Sequence, residues 1–275
     1  MLKIPYRNCV KIKFLCLFYK LPVLPGLFLF MTHKTKGIAL RTIKYGETSV
    51  ITSVYTELFG LQSYIIKGVR QSTKKTQSKQ IYFQPGAILE MEVFHYELKN
   101  LQFIKEYKWA YLYSKVLFDV VRNAVVQFMI ELFLHAVKQP EANPELFYLL
   151  EGSLLEADKG TDTIAANLPL YFILHLATES GFELQGNYSK ASSFLDLKEG
   201  IYTGAEPSHP HFVSDALTAS VSAIQHIQFY NDLEHIKLNR QTRRQILDAL
   251  LQYIFFHITD FRELKSLAVL REVLE

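Results

Sequence analysis

KGIALRTIKYGETSVITSVYT, Lys36 to Thr56, reads as two β-runs divided by a turn. Ile, Val, Thr and Tyr fill KGIALRTI and TSVITSVYT, and β-branched and aromatic side chains suit a pleated, half-buried surface. Gly46, between Tyr45 and Glu47, supplies the turn. The same grammar repeats downstream in LQSYIIKGV (61–69), AILEMEVFHY (87–96) and NLQFIKEYKW (100–109), parted by Gly60, a polar loop and Lys99-Asn100. In the fourth run Ile88, Glu90, Glu92 and Phe94 fall on one face, with Leu89, Met91, Val93 and His95 on the other. Five short strands without a long helix between them predict a small closed or nearly closed barrel over residues 31–110. An OB-fold needs five strands in roughly 75 residues, while periodicity alone leaves an SH3-like barrel open.

After Tyr113 the period changes from two to that of a helix. SKVLFDVVRNAVVQFMIELFLHAVKQ (114–139) repeats apolar residues at three and four and ends at Pro140. Asn143-Pro144-Glu145 combines a capping Asn, a proline for the first turn and an acid beside the helix N-terminus. The helix it opens stops at Lys159-Gly160, and another is predicted from Thr163 to Ser180, bent at Pro169 and closed by Gly181. A polar, cysteine-free insertion at about 182–212 precedes helices near 213–230, 240–258 and 262–274. The predicted class is α+β: a five-stranded OB-fold barrel followed by an all-helical domain over 111–275.

Upstream, MLKIPYRNCVKIKFLCLFYKLPVLPGLFLF (1–30) differs in composition from everything after it. Lysines and two prolines interrupt its apolar run, whereas a membrane helix needs about 20 mostly apolar residues and a signal core about 7–15 uninterrupted ones. It is read as a spurious upstream extension of the reading frame, with an anchor or leader as the other reading. A chain starting at Met31 is expected to fold and to keep full activity. Both cysteines, Cys9 and Cys16, lie in this segment, so the body has no disulfide or thiolate chemistry, in keeping with a reducing cytoplasm.

Charge is uneven along the chain. Residues 1–30 hold five basic and no acidic side chains, residues 31–100 ten basic and five acidic, and the remainder 15 basic and 22 acidic. Polyanion contact therefore belongs to the front. KGVRQSTKKTQSKQ (67–80) concentrates it: Lys67, Arg70, Lys74, Lys75 and Lys79 stand in an interval free of acids from Leu58 to Leu89. Tyr64, Tyr82 and Phe83 flank this loop, and cations for phosphates with aromatics for bases are what a single-strand groove needs. The competing readings are a solvated hairpin loop and three core aromatics. Arg41 and Lys44, at the end of the first run, are candidate helpers.

Catalytic alternatives are poorly supported. Neither GxxxxGK[ST], GxGxxG nor GxSxG occurs. Glu90 and Glu92 share a strand face but are explained by solvent-facing alternation. His209, His211, His226 and His235 lack a compact set of partners, so no zinc and no cofactor is expected.

Several stretches resemble the bacterial RecO recombination-mediator family. They are KGIALRTIKYGETSVITSVYTELFGLQSYIIKGVR with its YGE turn, T-x-x-x-G ending and K-G-x-R strand end, then QPG at 84–86, NPELFYLLEGSL at 143–154 and RELKSLAVLREVL at 262–274. The resemblance spans Thr35 to the C-terminus. It implies an N-terminal OB-fold on a helical domain. It also implies binding of single- and double-stranded DNA, annealing of complementary strands, and work with RecR to load RecA onto strands coated by single-stranded-DNA-binding protein, in the cytoplasm at the nucleoid. Many members carry two C-x-x-C pairs where this chain has GFELQGNYSKASSFLDLKEGIY (181–202), so its insertion must fold on its own contacts or stay loose. Arg122 is a candidate contact for the acidic tail of the single-stranded-DNA-binding protein, with a solvated helix face as the other reading. The function from another class is a helical scaffold whose barrel docks a protein partner.

Overall fold

The computed structural model describes residues 32–69, 79–137 and 140–274. The segment 1–30 and the loop residues Arg70, Lys74 and Lys75 lie outside the described residues. Five strands, β1 (Thr32–Tyr45), β2 (Ser49–Thr56), β3 (Gly60–Ile66), β4 (Ile88–Phe94) and β5 (Gln102–Trp109), close a barrel in the order β1-β2-β3-β5-β4. β4 returns to β1, and β3 meets β5 in parallel. This closure settles the choice between barrels in favour of the OB-fold. β1 is long enough to close it because its first half pairs with β4 and its second with β2, with a bulge between Ala39 and Arg41 where it bends.

Two cores meet across the barrel wall. Val50, Val54, Tyr64, Leu89, Met91 and Val93 fill the interior, with Val69 and Phe83 packed into the same cluster from the two ends of the cationic loop. The larger core lies among the helices and takes Ile38, Leu40, Tyr55 and Ile88 from the barrel's outer surface. Ile88 and Leu89, neighbours on β4, are thus both buried while facing opposite ways. The helical half covers the Ile88 end of a strand face that is polar farther on.

The helices are α1 (Val120–Ala136), α2 (Pro144–Lys159), α3 (Asp162–Glu179), α4 (Asp215–Gln225), α5 (Arg240–His257) and α6 (Ser266–Val273). Asn143 caps α2 by accepting from the Leu146 N–H, with Pro144 in the first turn as the sequence indicates. α3 is the central helix, with buried side chains all round it from Ile164 to Ala177. α1 starts six residues later than the apolar period places it. The N–H groups of Ser114, Lys115 and Val116 point instead at the Asp158 carboxylate, and Asp119 then caps the helix by accepting from Val121 and Arg122.

The polar insertion folds on its own contacts. β6 (Phe194–Asp196) lies between β7 (Ile201–Thr203) and β8 (Phe212–Ser214), so the helical half carries a three-stranded sheet. Leu195 and Leu197 anchor it in the helical core. Asp196 accepts from the Lys198 and Glu199 N–H groups, and its other oxygen lies 3.2 Å from His209 Nε2. His211 Nδ1 lies 3.0 Å from the Gln252 side-chain amide. Among the described residues no group of three or more His, Cys, Asp or Glu side chains is placed to hold a metal ion. These residues do not fit a zinc site.

Candidate nucleic-acid interface

The register of β1, β2 and β3 places the candidate cations. Lys44 pairs with Val50 and Val50 with Ile66, so Lys67, one residue past β3, stands at the same barrel end as Lys44. Lys79 opens a short 3-10 turn, Lys79–Phe83, tied to β1 by a 2.6 Å hydrogen bond from the Thr42 hydroxyl to the Phe83 carbonyl. Lys44 and Lys67 therefore stand at one end of the barrel, where Glu47 in the β1–β2 turn is also exposed, and Lys79 opens the turn whose last residue is tied to β1 two residues before Lys44. Arg41 does not join them. Residues three apart on a strand face opposite ways, and Arg41 pairs with outward Ser53 while Lys44 shares the side of interior Val50.

The flanking aromatics divide. Tyr64 and Phe83 are core residues, inaccessible to a stacked base. Burial pushes the Tyr64 hydroxyl pKa up, and it has no hydrogen-bond partner among the described residues. Tyr82 is half-buried and stacked on Trp109, ring centroids 4.7 Å apart. The exposed rings are elsewhere: Tyr45 at the end of β1 is 52% exposed and Phe103 on β5 is 40% exposed. Neither was marked by the sequence, since no local signal tells which face of a barrel strand a helix will cover.

Acids gather on a different part of the barrel. Glu90 pairs with Lys108 at 2.7 Å, and Glu92 with Lys105 at 2.8 Å while also accepting from the Thr32 hydroxyl. The lysine hydrogen bonds hold both carboxyls below the usual glutamate range. A general acid at neutral pH needs the opposite shift. The barrel is thus polarised, with cations at the loop end and lysine-matched carboxylates along β4–β5.

Arg122 is neither a tail contact nor a solvated side chain. It is 3% exposed, donates to the Ala157 carbonyl at 2.8 Å and pairs with Asp162 at 2.7 Å and Asp119 at 3.2 Å. It joins the start of α1 to the α2–α3 junction.

Comparison with known proteins agrees with this architecture. The family described as "Recombination protein O N terminal" matches residues 31–113, and "Recombination protein O C terminal" matches 117–268. The DNA repair protein RecO of Azobacteroides pseudotrichonymphae is 30% identical over 246 residues, covering 89% of this chain and 100% of that one. Those of Christiangramia forsetii and Flavobacterium psychrophilum are each 32% identical, over 243 and 250 residues, covering 88% of this chain and 99% of theirs. No helix among the described residues is long and apolar enough to cross a membrane. A five-stranded OB barrel joined to a helical half, matched over 31–113 and 117–268 by these two signatures and over 89% of the chain by a relative, makes this chain a member of the RecO family of DNA repair proteins.

Proposed function

We propose that the chain is a recombination mediator that binds single- and double-stranded DNA through the barrel domain, residues 31–110, and anneals complementary strands. With RecR it helps load RecA onto strands coated by single-stranded-DNA-binding protein, and its helical domain, 111–275, serves the protein contacts. The observation that carries this reading is the cationic barrel end formed by Lys44 and Lys67 with the turn that Lys79 opens, from which the paired carboxylates of β4–β5 are segregated. Arg70, Lys74 and Lys75 extend it in sequence. Exposed Leu112, Leu117, Phe118 and Val120, at the passage from barrel to α1, support a protein partner, which this reading takes to be RecR. A pocket of about 340 Å³ lined by Arg240, Arg244, Arg271, Leu247 and Leu274 has the charge and apolar floor to take an acidic tail.

Phosphates are alike in every sequence, so the cations lend affinity without base preference. Removing one phosphate-neutralising cation lowers the slope of log affinity against log salt by about 0.7 on single strands. Replacing Lys74, Lys75 and Lys79 together by alanine should reduce that slope by about 2, with annealing weakened in parallel. Titration of fluorescent oligonucleotides of unrelated sequence at several salt concentrations reads this directly. Equal slopes and affinities would return the loop to a solvated hairpin and favour the scaffold function.

A further inference from the structure

The outer surface of β1 and β2 carries a track that leads away from the cationic end. Tyr45↔Ser49, Ile43↔Ile51 and Arg41↔Ser53 are successive pairs on the outward side of the sheet. Ile51 pairs with Ile65, and Ile65 with Phe103, so the middle row runs apolar across four strands. Ile43 is 46% exposed and Tyr45 more so, on a part of the barrel away from the ion pairs of β4–β5. At about 3.4 Å per residue, Tyr45 and Arg41 lie roughly 14 Å apart along β1.

At Arg41 the track enters a cleft of about 710 Å³ between the barrel and the helical half. Arg41, Ser53, Leu134, His135, Asp260, Phe261 and Arg262 line it. Its far wall, the segment joining α5 to α6, is held on α1 at both sides of Arg262. Phe261 meets the His135 ring edge-on at 6.0 Å, and Glu131 accepts from the N–H groups of Lys265 and Ser266 and from the Ser266 hydroxyl. Arg41 and Arg262 are both exposed, and neither makes an ion pair among the described residues. Two unmatched guanidiniums thus face one cleft across the two halves of the protein, against the single carboxylate of Asp260.

We infer that a single DNA strand held at the cationic barrel end continues along the outer surface of β1–β2 into this cleft. Its bases lie against Tyr45 and Ile43, and its backbone passes between Arg41 and Arg262. The chemistry supports that division of labour: a flat exposed ring and an apolar row accept base faces of any sequence, while guanidiniums grip phosphate oxygens. Arg262 then becomes a nucleic-acid contact supplied by the helical half. The inference rests on the DNA-binding reading above and adds a path to it.

Surface replacements at exposed positions test it without endangering the fold, which a thermal melt of each variant checks. OB-fold sites span about 4–16 nucleotides, so oligothymidylates of about 4 and about 20 nucleotides distinguish the barrel end from the whole path. Arg262→Ala should lower the salt slope on the longer strand by about 0.7 and leave the shorter one unaffected. Tyr45→Ala should weaken the longer strand about tenfold. Asp260→Asn, which removes the opposing charge, should tighten it. If Arg262→Ala and Asp260→Asn match wild type on the longer strand while Lys44→Ala/Lys67→Ala/Lys79→Ala weakens it, the cleft is off the path and only this inference falls. If the lysine variant also matches wild type, the DNA-binding reading falls with it.

Discussion

Replacing Asp158 by alanine is expected to destabilise the protein by about 3–5 kcal/mol, the cost typical of removing one member of a buried, charge-assisted network. Asp158 sits fully buried near the end of α2, yet its carboxylate serves the chain leaving the barrel. It accepts from the N–H groups of Ser114, Lys115 and Val116 at 2.7–3.0 Å and from the hydroxyls of Tyr111 and Ser114. Alanine would leave three backbone donors and two hydroxyls without their acceptor, and the Val116 N–H among them is buried. For a protein of this size the loss corresponds to a fall in Tm of about 10 °C.

The pH dependence gives a second signature of the same residue. Burial opposes ionisation of Asp158, but the donors from Ser114, Val116, Tyr111 and Lys115 outweigh it and hold the carboxyl well below the usual aspartate range. Tyr111 stays a donor, its hydroxyl pushed up to about 12 by burial and by the Asp158 hydrogen bond. A depressed folded-state pKa contributes stability that is fully present above the unfolded value, about 3.9, and is lost as pH falls through the folded one. The gap between wild type and Asp158→Ala should therefore be widest at neutral pH and narrow below about pH 4. Denaturant melts of both proteins from neutral to acid pH measure it. A gap that stays constant with pH, or a loss under about 1 kcal/mol, would show that the carboxylate does not clamp the chain leaving the barrel onto α2.

That clamp marks where the sequence stops being legible. Alternation along TSVITSVYT and AILEMEVFHY, with Gly46 and Gly60 between runs, sufficed for five strands, because a half-buried sheet writes its two faces into a period of two. Barrel order was not readable in the same way. The parallel contact of Tyr64 and Ile65 with Gln102 and Phe103 joins segments nearly forty residues apart with no local trace. Asp158 in LLEADKG looks like a solvent-facing residue at a helix end, and Arg122 like one on a helix surface. Both are buried because α1 and α2 converge there, which only tertiary packing determines. For the candidate site, the opposite directions of Arg41 and Lys44 follow from their spacing alone. The burial of Tyr64 and Phe83, and the exposure of Tyr45 and Phe103, required the closed barrel and its bulge.

The Thr56–Gly60 turn provides the other large expected effect, and a matched control isolates its cause. Gly60 has φ +59°, and a Cβ there would lie 2.1 Å from the Glu141 carbonyl oxygen, in the segment that joins α1 to α2. Gly46 has nearly the same φ, +62°, with nothing within 4 Å of the added atom. The turn itself is drawn tight by Thr56, whose buried hydroxyl donates to the Gly60 carbonyl and accepts from the Phe59 N–H. A non-glycine residue in the left-handed region costs about 1–2 kcal/mol, which Gly46→Ala and Gly60→Ala share. Only Gly60→Ala must also push a backbone carbonyl aside, against α2 contacts that include Tyr55 with the Asn143 carbonyl and the Lys36–Glu151 ion pair at 2.8 Å. Strain that displaces packed backbone commonly adds about 1–3 kcal/mol, so Gly60→Ala should lose roughly twice the stability of Gly46→Ala. Equal losses in parallel denaturant melts would mean that the β2–β3 turn does not bear on the α1–α2 connection, and that its glycine answers to φ alone.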